Sequence, residues 1–274
     1  MTVMHPTHFN RTPSPEALPD GKIAEYRKNG FVHVPGVLTP EETQRFREAV
    51  LALLERKKQS SMLYRDEAVF TQMVNVWRDD PVLRNLTLHP TISGIAARLA
   101  GVPLRLWHDQ VLIKQPGKSV PTEFHQDQPG WAHQNSRQPI SAWIALVDVP
   151  VERGCMTFIP GSQRYEDLPL GSSSTHDPDL LFKSCPELVW DPRVTIPLRA
   201  GDCTFHHGRC AHMAHPNTTD SARVAFVVMF MDRDTQYSAS RETQVTKSLG
   251  LKKGDPLTGE LFPEVPFLTG ARGS

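Results

Sequence analysis

Two periods divide the chain. From Lys22 to Gly101 apolar residues recur every three or four positions, whereas from Pro103 to Asp232 they alternate with polar ones. The first spacing stacks side chains on one face of a helix, and the second lines them along one face of a strand. The stretch "LTPEETQRFREAVLALLERKK" is the clearest helix. Thr39 caps it, Pro40 takes its first position, Glu42 completes a capping box, and Phe46, Val50, Leu53 and Leu54 form its apolar stripe. A shorter helix is expected over Lys22–Lys28, ahead of Asn29-Gly30. Another is expected in "HPTISGIAARLAG", where Ile92, Ile95, Ala96 and Leu99 share a face and Gly101 ends the helix. "FVHVPG" reads as an early strand. Later strands are expected in "LRLWHDQVLIKQ", around His125, and in "ISAWIALVDVP", "GCMTFIPG", "VTIPL", "GDCTFHH" and "RVAFVVMFM", with turns at Pro116-Gly117, Pro160-Gly161 and Gly201-Asp202 between them. Helices followed by seven or eight strands predict an α+β fold on an antiparallel barrel or double sheet.

Residues 1–19 are rich in Pro, Thr and His without periodicity and are expected as a flexible N-terminal arm, leaving 20–274 as a single domain. The connection Ser162–Arg193 is long, polar and serine-rich. With Gly171 for freedom and Leu180, Leu181, Phe182 and Trp190 for apolar surface, it is expected to act as a lid.

Charge and cysteine usage narrow the class of partner. Thirty basic residues balance thirty acidic ones in 274, so no net field draws nucleic acid or an anionic membrane. No apolar run approaches the roughly 20 residues that span a bilayer, and "MTVMHPTHFNRTPSPEALPD" lacks the apolar segment of a secretion signal. Cys155, Cys185, Cys203 and Cys210 show no CxxC and read as reduced thiols. The expectation is a cytoplasmic protein acting on a small molecule, with no signature of oligomer state.

Candidate chemistry centres on "PTEFHQDQPGWAH". Residues two apart on a strand project from one face about 7 Å apart, so His125 and Asp127 can converge on one ion. "GDCTFHHGRCAHMAHPN" offers His206, His207, His212 and His215 as a third ligand. Two His and one carboxylate on one face of an octahedral metal form the triad of non-haem Fe(II) oxygenases, leaving positions for a bidentate oxo-acid and O2. Eleven residues after His212, Arg223 is a lone cation in an apolar run. Buried, it needs an anion, which the distal carboxylate of 2-oxoglutarate would supply. A zinc site of Cys203, His206, Cys210 and His212 is the competing metal reading, and Trp131, Gln128 and His133 are candidates for the mouth of a pocket.

Four ordered segments resemble the phytanoyl-CoA dioxygenase family of Fe(II)/2-oxoglutarate oxygenases over roughly Ile23 to Asp232. They are "YRKNGFVHVPGVLTPEE", "HDQVLIKQPGKSVPTEFHQD", "AWIALVDVPVERGCMTFIPGSQ" and "GDCTFHHGRCAHMAHPNTTDSAR". The resemblance implies a double-stranded β-helix, a jelly-roll or cupin-like barrel, with N-terminal helices packed on one sheet. It implies His125, Asp127 and His212 as iron ligands, Arg223 as the 2-oxoglutarate clamp, and Thr122, Trp143 and Gln110 as further contacts to the cosubstrate. His207 matches a family histidine that is not a ligand, and His206 and His215 fall to supporting roles. Ala214 stands where many relatives carry a serine that touches the oxo-acid, so one hydrogen bond is missing. Asp127 separates the chain from halogenases, in which a small residue opens that coordination position. The implied reaction uses Fe(II), 2-oxoglutarate and O2 to hydroxylate a C–H bond of a small molecule, releasing succinate and CO2. Desaturation, ring closure and epimerisation are open to the same chemistry. A non-catalytic binding or sensor protein on the same barrel is the rival. No basic patch suited to CoA is present, so a small polar or natural-product metabolite is the expected substrate.

Overall fold

The capping box at Thr39 forms as its sequence requires. Thr39 Oγ1 accepts from the Glu42 amide at 3.2 Å, and the Glu42 carboxylate accepts from the Thr39 amide at 2.9 Å. The helix it starts, Pro40–Ser60, buries Phe46, Val50, Leu53 and Leu54. Replacing Thr39 with alanine orphans an amide and should cost about 1 kcal/mol, read as a lower urea midpoint at unchanged slope. Helices Asp20–Asn29 and Pro90–Ala100 end at Gly30 and Gly101, whose φ values of 82° and 71° suit glycine. A further helix, Pro81–Thr87, lies outside the expectation. Its signal is Asp80 before Pro81, with the carboxylate accepting from the Val82 and Leu83 amides.

In this computed structural model the described residues are 2–3, 14, 18–60, 65–66, 70–117, 119–165, 179–241 and 243–266. Two antiparallel sheets face one another. The larger runs in the order Phe31–Val34, Cys203–His207, Ile140–Ala145, Arg223–Asp232, Leu104–Lys114, Thr71–Val74 and Arg65–Asp66. The smaller runs Val194–Ile196, Met156–Phe158, His212–Ala214 and Thr122–His125, with Thr2–Val3 added in parallel at one edge. Each strand expected from the alternation is present. Thr71–Val74 is an additional one, buried at Thr71 and Met73.

Alternation along Arg223–Asp232 separates two cores. Val224, Phe226, Val228 and Phe230 pack outward with helix residues such as Val50, Leu83, Ile92 and Ile95, so the helices cover the outer face of the larger sheet. Ala225, Val227 and Met229 point between the sheets, where they meet Trp107, Trp143, Met156 and Phe158. The fold is the expected α+β double-stranded β-helix. A bulge interrupts one pairing: Met229 opposes His108, but Phe230 opposes Leu106. The extra residue, Trp107, joins the inner cluster beside His108, as bulges do when they re-aim side chains.

The chain after Asp232 returns across the barrel. Phe262 stacks on Trp107 at 5.7 Å, and Val245 and Leu257 join the inner core. Of the connection proposed as a lid, residues 166–178, including Gly171, lie outside the described residues. Its described part forms the short helix Leu180–Ser184 and packs Leu181, Phe182 and Leu188 on Phe124, Ile159 and Met213. No described helix is long and apolar enough to cross a membrane.

Candidate functional site

His125 ends one strand of the smaller sheet, and His212 begins its neighbour directly opposite. Their rings lie 4.4 Å apart between centroids. Asp127 does not reach them by strand alternation, as the two-residue spacing predicts. The strand stops at His125, and Asp127 takes helical angles (φ −73°, ψ −48°) at the start of a short turn. That turn swings its carboxylate back, placing Oδ1 3.5 Å from His125 Nε2 and 3.8 Å from His212 Nε2. One donor atom from each residue lies within 4.8 Å of the others.

Backbone carbonyls select the tautomers. His125 Nδ1 lies 2.8 Å from Glu123 O, and His212 Nδ1 lies 2.9 Å from Cys210 O. A proton on each Nδ1 leaves both Nε2 lone pairs facing Asp127, as metal ligation requires. Burial, reinforced by His125 and His206, pushes His212 down to about 3, so it is neutral. Burial alone would raise the Asp127 carboxyl, but His212, His125 and His206 hold it well below the usual range. Asp127 Oδ2 is occupied: Ser141 Oγ donates at 3.0 Å and His206 Nε2 lies at 3.3 Å. These contacts aim Oδ1 at the histidines. Substituting His206 with alanine should weaken iron binding about ten- to a hundred-fold without abolishing it, measured by competition with a chelator.

Arg223 stands in the same cavity, of about 520 Å³, together with Gln110, Thr122, His125, Asp127, Trp143 and His212. It is 1% exposed and has no carboxylate partner among the described residues. Its Nε has no acceptor, Nη1 has only a long 3.5 Å contact to Leu112 O, and the guanidinium sits 5.2 Å from the Trp143 ring. Burial lowers it to about 9, so at neutral pH it remains a cation without its anion. An oxo-acid carboxylate suits this guanidinium in charge and hydrogen bonding. Thr122 and Ala214 pair across the smaller sheet beside it. The alanine offers no hydroxyl, which leaves Thr122 as the hydroxyl of that pair. Gln110 is held by a side-chain hydrogen bond from Gln72.

Other candidates resolve differently. Cys203 faces the helix-side core, and Cys210 Sγ turns to Ser162 and backbone carbonyls, so the zinc set does not assemble. His207 bonds Arg137 O and the Arg209 amide, and His215 bonds Thr157. Trp131 borders the cavity, whereas Gln128 turns to Ser136 O and His133 is buried against Trp107 and Trp131. Outside the sequence expectations lie Ser141, which bonds Asp127, and His108, Arg241, Thr243, Gln244 and Val245, which line the cavity. The last four carry no motif that could have marked them.

Two imidazoles and a carboxylate at one edge of a double-stranded β-helix, sharing a cavity with a buried, unmatched arginine, define the class of non-haem Fe(II) oxygenases that use 2-oxoglutarate. Comparison with known proteins gives the same class. The model of the phytanoyl-CoA dioxygenase family matches residues 26–225. The non-haem α-ketoglutarate-dependent carbocyclase SnoK from nogalamycin biosynthesis is 40% identical, with a TM-score of 0.84 over 94% of this chain and 100% of its own. The epimerase SnoN, solved with Fe3+, α-ketoglutarate and nogalamycin RO, is 36% identical, with a TM-score of 0.75 over 89% of this chain and 97% of its own. L-proline trans-4-hydroxylase of Streptomyces griseoviridis is 23% identical over 78% of this chain and 86% of its own. The chain belongs to the phytanoyl-CoA dioxygenase family. It is a 2-oxoglutarate-dependent non-haem iron dioxygenase that works with Fe(II), 2-oxoglutarate and O2 on a small molecule.

Proposed function

We propose that His125, Asp127 and His212 hold the iron, and that Arg223 receives the distal carboxylate of 2-oxoglutarate with Thr122, Trp143 and Gln110 around it. The observation that carries this reading is the buried Arg223 cation, without a carboxylate partner, in the cavity that also contains the three metal donors. Bound there, Fe(II) supplies the activation of O2, coupled to conversion of 2-oxoglutarate to succinate and CO2. The chain supplies the rest. Asp127 and the two Nε2 atoms set the coordination face, Ser141 and His206 orient the carboxylate, and Trp107, Trp131 and Met229 keep water from the substrate side.

The reaction is hydroxylation of a C–H bond in a natural-product metabolite. Balanced acidic and basic residues support an enzyme without nucleic-acid or membrane partners, and the four free cysteines support a cytoplasmic one. A second reading, ring closure or epimerisation, draws support from the likeness to SnoK and SnoN, a carbocyclase and an epimerase. Incubation with Fe(II), 2-oxoglutarate and candidate metabolites tests the enzyme through substrate-stimulated succinate, and product mass separates the outcomes. Hydroxylation adds one oxygen, ring closure removes two hydrogens, and epimerisation leaves the mass unchanged. Absence of succinate formation under any of these conditions would defeat the proposal.

A further inference from the structure

The wall of the cavity built from Trp107, His108 and Trp131 has no part in holding iron or the oxo-acid, yet it contains buried polar atoms with nothing to bond. His108 is 7% exposed, borders the cavity, and has no partner for Nδ1. Trp107 Nε1 is also unpartnered. Behind them His133 lies edge-on to Trp107 at 5.1 Å and tilted on Trp131 at 5.2 Å, with neither ring nitrogen bonded. Native interiors rarely leave such atoms unsatisfied, and at the wall of a cavity an incoming polar group is one partner that can satisfy them. The bulge opposite Met229 is what turns Trp107 and His108 inward together. His108 is in register with Met229, Met229 with Ser141, and Ser141 with His206, so this rung of the sheet ends on the two residues that hold Asp127.

We infer that His108 binds the substrate, its ring meeting a hydroxyl or carbonyl oxygen of an uncharged, ring-bearing molecule laid against Trp107 and Trp131. This rests on the oxygenase reading above and adds the class of molecule taken. Charge excludes an anionic group at this wall. Among the described residues the only Lys or Arg side chains bordering the cavity are Arg223, committed to the oxo-acid, and Arg241, exposed and turned toward Gly130 O at 3.5 Å. Glu123 and Asp127 add negative charge around the cavity. Burial pushes His108 down to about 4, so it meets its ligand as a neutral imidazole, able to donate from one nitrogen and accept at the other. The two indoles offer flat, apolar surface with an N–H edge, which favours a ring over a flexible chain.

The test uses protein loaded with Fe(II) and 2-oxoglutarate without O2, titrated by tryptophan fluorescence. The probes are estradiol and the flavonol quercetin, each beside its sulfate ester. The expected result is that an uncharged probe binds wild type more tightly than its sulfate. His108→Phe, which keeps a ring but loses both nitrogens, and His108→Ala should each weaken that binding about tenfold, the equivalent of one hydrogen bond. His108→Gln should recover part of the loss, while affinity for 2-oxoglutarate changes by less than about twofold. Equal binding by wild type and His108→Phe, preference for the sulfates, or no binding of either uncharged probe to wild type would overturn the inference. Failure of the oxygenase reading looks different, because wild type would then neither bind 2-oxoglutarate nor form succinate.

Discussion

Replacing Arg223 with alanine should lower the affinity for 2-oxoglutarate between about thirty-fold and several thousand-fold, with iron affinity little changed. Truncating one partner of a desolvated, charge-assisted pair costs roughly 2–5 kcal/mol, and every 1.4 kcal/mol is about tenfold in affinity. Arg223 meets the conditions for the upper part of that range. It is fully buried, still charged at neutral pH, and held by Trp143 and one long carbonyl contact rather than by a carboxylate. Its desolvation is therefore offset only when an anion binds. A ligand that binds only the folded protein stabilises it logarithmically in its concentration, so 2-oxoglutarate should raise the melting temperature of wild type, and the rise should continue beyond saturation. The alanine variant should show no such rise. Arg223→Met, which better preserves the side-chain volume, guards against a collapse of packing, and it too should be insensitive to 2-oxoglutarate. A melting temperature that still climbs with 2-oxoglutarate in both variants would mean that the oxo-acid binds elsewhere.

Alanine at His125, Asp127 or His212 should remove iron from the purified protein and reduce turnover to background, with far-UV circular dichroism unchanged. In the proposed site each residue supplies one of three donors, and the remaining two cannot define a facial set. Geometry separates these positions from the other histidines nearby. His212 Nε2 faces Asp127 Oδ1, whereas His206 reaches only Oδ2, and His207 and His215 are engaged with Arg137 and Thr157. Iron content measured across alanine variants at 206, 207, 212 and 215 should show complete loss at 212 and partial loss at 206. Retention of iron and activity in the His212 variant, with loss at 207 or 215 instead, would reassign the third ligand. Chelation followed by Fe(II) should restore turnover in wild type.

Local rules carried much of this protein's design. The capping box at Thr39, the glycine stops at Gly30 and Gly101, and the change of period near Pro103 act over a few residues, so they are visible in the chain and recur in the fold. The same holds for the separation of His125 and Asp127 and for a lone cation in the strand "ARVAFVVMFM", both written in adjacent residues.

Long-range pairing decided the rest. Four histidines lie between 206 and 215, and only the register that sets His212 against His125 selects one. Asp127 converges through a backbone turn rather than along a strand, which two-residue spacing does not reveal. The bulge that turns Trp107 and His108 inward exists only in the pairing of Leu104–Lys114 with Arg223–Asp232, about a hundred residues away in sequence. Arg241, Thr243, Gln244 and Val245 reach the cavity because the C-terminal chain folds back over the barrel, anchored where Phe262 stacks on Trp107. Such contacts join segments whose local patterns are unrelated, and the free energy that holds them comes from burial shared between them. No periodicity in either segment records it, so the pairing of Trp107 with His108 at the cavity wall and the C-terminal residues at its border belong to the tertiary structure alone.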